Sequence, residues 1–205
     1  MRRTKEDAAR TRAVIVDAAL GCFDRHGIAN STLDQIAAAA GVTKGAIYHH
    51  FKGKREILHE IREQVSLPLL DEADTDLLHA GERPALERVE RFLTGVLDTL
   101  ERDRRTRQAL TVMQFKCEYV DTLAEELAGM VRNNERLLRA FESAYGEARK
   151  AGQLSKALPP AIAALETLMF LSGLVRLWLV HGARHPLRKN ARAVIEAHVQ
   201  SRRAR

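Results

Sequence analysis

The stretch TLDQIAAAAGVTKGAIYHHFKGK, Thr32 to Lys54, leaves a chain few ways to fold. Thr32 followed by Gln35 is a capping box, in which each residue satisfies a backbone donor at the start of a helix. Leu33, Ile36, Ala37 and Ala40 recur at helical spacing, so that helix buries one face. Gly41 ends it, since glycine takes the left-handed conformation without strain. Val42 plugs the turn with an apolar side chain, and Thr43 caps a second helix through its hydroxyl. In that helix Ala46 and Ile47 can pack inward, followed by Phe51, while Lys44, Gly45, Tyr48 and His49 face out.

Two short helices around a tight turn, the second basic and polar, form a helix-turn-helix, whose second helix lies in the major groove of DNA. Lys44, His49 and His50 can donate to phosphates or base edges. Tyr48 can hydrogen-bond a phosphate and pack its ring on a sugar or a thymine methyl. Gly45 permits close backbone approach, and Lys54 adds charge beside the free N–H groups of the next helix. Thr32, Thr43 and Ala46 complete the expected DNA-facing set.

From Ala13 to Ile61 the chain resembles the DNA-binding domain of the TetR family of bacterial repressors. The matching residues are Ile15, Ala18, Ala19, Phe23, Gly27, Thr32, Ile36, Ala37, Ala40, Gly41, Val42, Gly45, Tyr48, Phe51, Lys54 and Leu58. Many members carry Tyr or Trp where this chain has His49.

The chain has 205 residues, enough for one or two domains with a substantial core. Its net charge of +6 suits a polyanionic partner but, taken alone, equally suits simple solubility. Cys22 and Cys117 have no metal or redox spacing, which points to a reducing, cytoplasmic setting without a disulfide framework. The N-terminal MRRTKEDAARTR is followed by no apolar run, so it is not a secretory signal. Ala161 to Val180 is apolar enough to raise a membrane question. Because it carries Glu166 and Arg176, it reads as a buried or interface helix, with no membrane partner expected.

Helical periodicity runs nearly throughout, and the expected fold is all-α. A basic arm, Arg2 to Arg12, leads into a helix from about Lys5 or Ala9 to His26, with Val14, Ile15, Ala18, Ala19, Cys22 and Phe23 on its buried stripe. Residues 1–53 are expected to form the arm and helix-turn-helix domain, and 54–205 a helical ligand-binding and dimerisation domain. The fourth helix starts near Lys54, and Pro68 should bend or end it. Gly81 and Pro84 mark a helix carrying Leu86, Val89, Phe92, Leu93, Val96, Leu97 and Leu100. A short helix opens at Ala109. A long one runs from Asp121 to Lys150, its apolar positions including Leu127 and Val131, and ends at Gly152. Pro159 and Pro160 open the apolar helix. The last helix, after Pro186, shows Ala191, Val194, Ile195, His198 and Val199 on one stripe.

Met113 to Val120, the opening RRTKEDAARTR and Ser172 to Leu179 narrow the resemblance to the AcrR/TtgR branch, repressors of multidrug efflux pumps. That resemblance implies a ligand-responsive repressor released from a palindromic operator in double-stranded DNA by a small hydrophobic or aromatic effector. It implies a pocket lined by Phe92, Leu93, Val96, Leu110, Met113, Gln114, Asn134, Leu137, Phe141, Leu168, Leu171 and Ser172, mostly apolar with buried amides at Gln114 and Asn134. Any one of these residues can equally be ordinary core. Surplus apolar surface on the last two helices, about 160–181 and 187–202, points to a homodimer through a four-helix bundle. Two further readings stay open: a TetR-like regulator of metabolic or quorum genes, and a helical small-molecule-binding protein without specific DNA binding. No P-loop, GxSxG or dinucleotide fingerprint is present, the histidines lack partners for a metal, and the acidic pairs fit solvated faces. No enzyme, cofactor or metal site is expected.

Overall fold

In a computed structural model, the protein is described for residues 5–78, 83–118 and 124–204. Arg2 and Arg3 of the arm, Gly81, Val120, and Asp121 as the start of the long helix lie outside the described residues. Those described form nine α-helices and no strand, as expected of an all-α chain. The helices are α1 Lys5–Asn30, α2 Leu33–Ala40, α3 Lys44–His50, α4 Lys54–Leu78, α5 Ala85–Arg102, α6 Arg104–Phe115, α7 Ala124–Lys150, α8 Pro160–Val180 and α9 Pro186–Gln200. They group into two compact units, Met1–Leu67 with Arg105–Leu127, and Pro68–Arg104 with Ala128–Arg205.

In the first unit the helix-turn-helix is built as its residues dictate. The Thr32 hydroxyl accepts from the Gln35 amide while the Gln35 side chain accepts from the Thr32 amide, closing the capping box. Gly41 sits at φ +64° and the Thr43 hydroxyl accepts from the Ala46 amide. Thr32→Ala should lower the unfolding free energy by about 1 kcal/mol, the usual worth of an N-cap; urea denaturation followed by circular dichroism measures it.

Gly27 breaks α1 with φ +76°, leaving one further turn through Asn30. The buried face of α1 is Ile15, Val16, Ala19, Leu20, Cys22 and Phe23, with Val14 exposed. The expected stripe was therefore rotated by about one position, because tertiary contact with α2 and α6 decides which edge of a wide apolar face is covered. Ile36, Ile47, Phe51, Ile57, Leu58 and Ile61 complete the core together with Ala109, Val112 and Met113 of α6. Ionic contacts reinforce this docking. Lys116 donates to the Asp24 carboxylate at 2.6 Å and Gln108 to the same group at 3.1 Å. Helix α6 starts at Arg104, earlier than the apolar residues suggested, and α4 continues through Pro68 rather than ending there. A proline removes one N–H and strains one turn; here the boundary between the two units falls between Leu67 and Pro68.

In the second unit, Leu86, Val89, Phe92, Leu93, Val96, Leu97 and Leu100 of α5 are all buried, in agreement with their spacing. Helix α9 packs on α5 and α8. The buried residues of α7 are Glu126, Gly129, Leu137, Ala140, Phe141, Ala144, Tyr145 and Ala148; Leu127 and Val131, expected on the stripe, are exposed. Gly152, at φ +70°, ends α7. Helix α8 is long and apolar enough to cross a membrane by length and composition. Its Ala163, Ala164, Thr167, Leu171, Leu174, Val175 and Trp178 are instead buried in the unit.

A polar chain threads this core. Tyr145 Oη lies 2.7 Å from Thr167 Oγ1, which lies 3.0 Å from His198 Nε2. The His198 ring stacks on Phe170 at 4.0 Å between centroids. Burial, helped by the Arg202 charge, pushes the imidazole down to about 4 from 6.5. Between those values the unfolded chain binds a proton that the folded chain excludes. Stability is therefore full above about pH 7 and should fall by on the order of 1–2 kcal/mol towards pH 4, solvent screening included. Urea midpoints measured from pH 7 to 4 should fall less in His198→Gln than in the parent.

Candidate nucleic-acid interface

Helix α3 presents one face. Ile47 is buried, Ala46 half-buried, and Lys44, Gly45, Tyr48 and His49 are exposed, Tyr48 at 56% of its surface. Gly45 has no close neighbour but the Thr43 hydroxyl, so the backbone can be approached closely. His50 is half-buried, and its ring meets that of His49 edge-on at 5.2 Å. Thr32 and Thr43 are exposed at the starts of their helices, each hydroxyl accepting an amide and keeping its own proton for a further acceptor. Lys44 pairs with Asp34 of α2 at 2.8 Å, and that hydrogen bond raises the lysine's pKa. Thr43, Lys44, Gly45, Ala46, Tyr48, His49 and His50 thus lie at the start of or along one short helix, and Thr32 caps the helix before it. The Lys54 ammonium donates to the carbonyls of Ile28 and Ala29, at 2.7 and 3.1 Å, and so ties the start of α4 to the end of α1. Its partners lie 25 and 26 positions away in the chain, beyond what local spacing can reveal.

Arg12 was legible only as part of a basic arm. Folded, it donates to the His50 carbonyl at 2.7 Å and to Glu60 at 2.7 Å, and it lies over the Phe51 ring at 4.0 Å. Hydrogen bonding to Arg12 holds the Glu60 carboxyl below its ordinary range. No sequence signal pairs residues so far apart.

Of the expected ligand-lining residues, Phe92, Leu93, Val96, Leu137, Phe141 and Leu171 lie buried in the second unit. Phe92 and Phe141 meet edge to face at 5.3 Å and 84°. Leu168 is half-buried, whereas Asn134 and Ser172 are exposed. Asn134 is on an exposed edge of α7, so it is not the buried amide expected. Ser172 lies on the outer side of α8 and donates to the Leu168 carbonyl at 2.8 Å. Leu110, Met113 and half-buried Gln114 belong to the first unit, where Met113 is core and Leu110 packs against it. A cavity of about 750 Å³ opens elsewhere in that unit, walled by Lys52, Gly53, Lys54, Arg55, Glu56, His59, Glu125 and Glu126. Arg55–Glu125 and Arg62–Glu126 ion pairs, at 2.7 and 3.1 Å, lie along it. Among the described residues no group of three metal-ligating side chains occurs, and both cysteines are free.

A capped helix-turn-helix with an exposed polar recognition helix, in a chain that also has a second helical unit, defines a DNA-binding regulator and not an enzyme. Residues 15–61 match the model of bacterial regulatory proteins of the tetR family, and 84–202 that of the C-terminal region of MAATS-type transcriptional repressors. The chain belongs to the TetR family. It is 34% identical over 189 residues to the HTH-type transcriptional regulator TtgR of Pseudomonas putida, covering 88% of this chain and 85% of TtgR. Among solved structures, NalD of Pseudomonas aeruginosa, the secondary repressor of the MexAB-OprM multidrug efflux pump, superposes with a TM-score of 0.84 at 26% identity, covering 97% of this chain and 99% of NalD. The SmeT–triclosan complex, SmeT being the repressor of the Stenotrophomonas maltophilia efflux pump SmeDEF, superposes at 0.79 with 28% identity, covering 96% and 92%.

Proposed function

We propose that this protein is a cytoplasmic, homodimeric repressor of a multidrug efflux operon, released from a palindromic operator by small hydrophobic or aromatic molecules. The observation that carries the reading is the outward face of α3: Lys44, Gly45, Tyr48 and His49 stand free of the core, on a helix held at both ends. Residues 1–53 read the DNA, with Lys54 in a supporting role, and the helices beyond them bind the effector and the second chain. Full-length likeness to efflux-pump repressors, one of them bound to triclosan, supports the effector class.

Phe92, Leu93, Val96, Leu137, Phe141 and Leu171 supply apolar walls of the kind small-molecule sites use. Two heads on a two-fold axis meet half-sites one helical turn apart, roughly 34–36 Å, or a multiple of that. A ligand that favours another head spacing weakens binding by its differential affinity for the two states, ordinarily about 5–150-fold.

The test is binding of the purified protein to DNA upstream of its own gene and of the divergent neighbour, across a salt series and with a panel of lipophilic drugs. Sequence-selective binding released by at least one drug is expected. Binding that is only weak and vanishes at moderate salt, as phosphate contacts alone do, would sink the proposal.

A further inference from the structure

We propose that Arg12 is a positioning residue for DNA recognition, its guanidinium fixing the exit of α3, and hence the tilt of the recognition helix, by holding the His50 carbonyl, the Phe51 ring and the Glu60 carboxylate at once. The inference rests on the reading of α3 as the DNA-facing helix.

Helix α3 has only seven residues, Lys44–His50. Its start is held by Thr43, and two bonds hold its exit: the Phe51 amide to the Ile47 carbonyl at 2.9 Å, and Arg12 to the His50 carbonyl at 2.7 Å. Phe51, nearly fully buried, forms the floor beneath the guanidinium. Arg12 is thereby held by protein groups on three sides.

The far end of the clamp is itself anchored. Gln64 donates to Glu60 at 2.8 Å, Arg105 donates to Gln64 at 2.6 Å, and Arg105 reaches Asp17 at 2.9 Å. An unbroken polar chain thus runs from the end of α3 through α1 and α4 to α6 and back to α1, all within one compact unit.

Geometry makes this matter for reading and not for affinity in general. At 1.5 Å per residue, α3 is about 10 Å long, so a swing of about 10° at its exit moves the Lys44 end by about 2 Å. Base-edge hydrogen bonds tolerate only a few tenths of an ångström, whereas attraction to phosphates is long-ranged and sequence-independent. Loosening the clamp should therefore cost selectivity before it costs non-specific binding.

The experiment uses the full chain and a duplex that the parent protein selects from a random-sequence pool, with an unselected duplex as reference. If the parent selects no sequence, the reading of α3 fails and this inference with it; if it does, the variants test Arg12 alone. Arg12→Lys keeps the charge and loses the fork, and Glu60→Gln removes the anchoring charge. In both, the ratio of affinities for the selected and unselected duplex should fall about tenfold, with the unselected affinity held within about threefold for Arg12→Lys and the helix signal intact. A ratio unchanged in Arg12→Lys would show that a bare positive charge suffices and overturn the proposal. So would a parallel rise on both duplexes in Glu60→Gln, or a parallel fall in Arg12→Lys. If neither variant folds, Arg12 is a stability element and the proposal is wrong.

Discussion

Met169→Glu with Leu177→Glu should turn the protein into a monomer and lower its affinity for a palindromic duplex by about a hundredfold or more, the range lost when two linked binding events become independent. The two side chains are 66% and 48% exposed in the single chain. With Ile162, Leu165, Gly173 and Val180 they form one row down the outer side of α8, at steps of three and four residues. Val194 of α9 is likewise exposed. Single exposed apolar residues need no explanation, but a contiguous row on the most apolar helix does. A two-fold contact uses the same row twice, so each replacement places two carboxylates in an apolar interface, where unpaired charge is strongly unfavourable. Because these residues contribute little to the core of their own chain, the helix signal should persist. Sedimentation reads the association state, and a dimer of unchanged strength would refute the assignment of this face.

Tyr48→Ala should weaken selective binding by about 30-fold or more while leaving the unfolding free energy within about 0.5 kcal/mol of the parent, as surface replacements do. A good base or phosphate-anchored contact is worth about 1–3 kcal/mol, and a symmetric dimer uses it at both half-sites. Tyr48 is the largest exposed side chain of α3 and follows Lys44 by one helical turn, so the two share a face. Tyr48→Phe separates the hydroxyl from the ring: a loss confined to Ala assigns the effect to stacking on sugar or methyl, and a loss in both assigns it to the hydroxyl. Equal affinities for parent and Ala variant would remove α3 from the groove.

Much of the fold was legible because it is local. Thr32 with Gln35, Gly41 and Thr43 act within one turn of themselves, so their spacing already states their geometry. The α5 stripe was read correctly because a strongly two-faced helix has one face to bury. Where apolar residues wrap further round, as on α1 and α7, composition left the buried edge open, and Val14, Leu127 and Val131 were placed inside although they are exposed. Asn134 and Ser172 are exposed for a related reason: resemblance alone does not say which edge of a helix turns toward the core of this chain.

By itself, then, the sequence determined the helices, their caps, the two-helix motif and the polar face of α3, because hydrogen bonds and periodicity within a few residues are enough to specify them. Tertiary structure alone decided that Lys54 is spent on Ile28 and Ala29, that Arg12 clamps the end of α3, that Met113 belongs to the core of the head, and that Thr167 and His198 share a buried polar chain. Each of these joins groups more than twenty positions apart. Which charge meets which carbonyl at such separations is set by how whole helix faces pack, and local spacing holds no record of it.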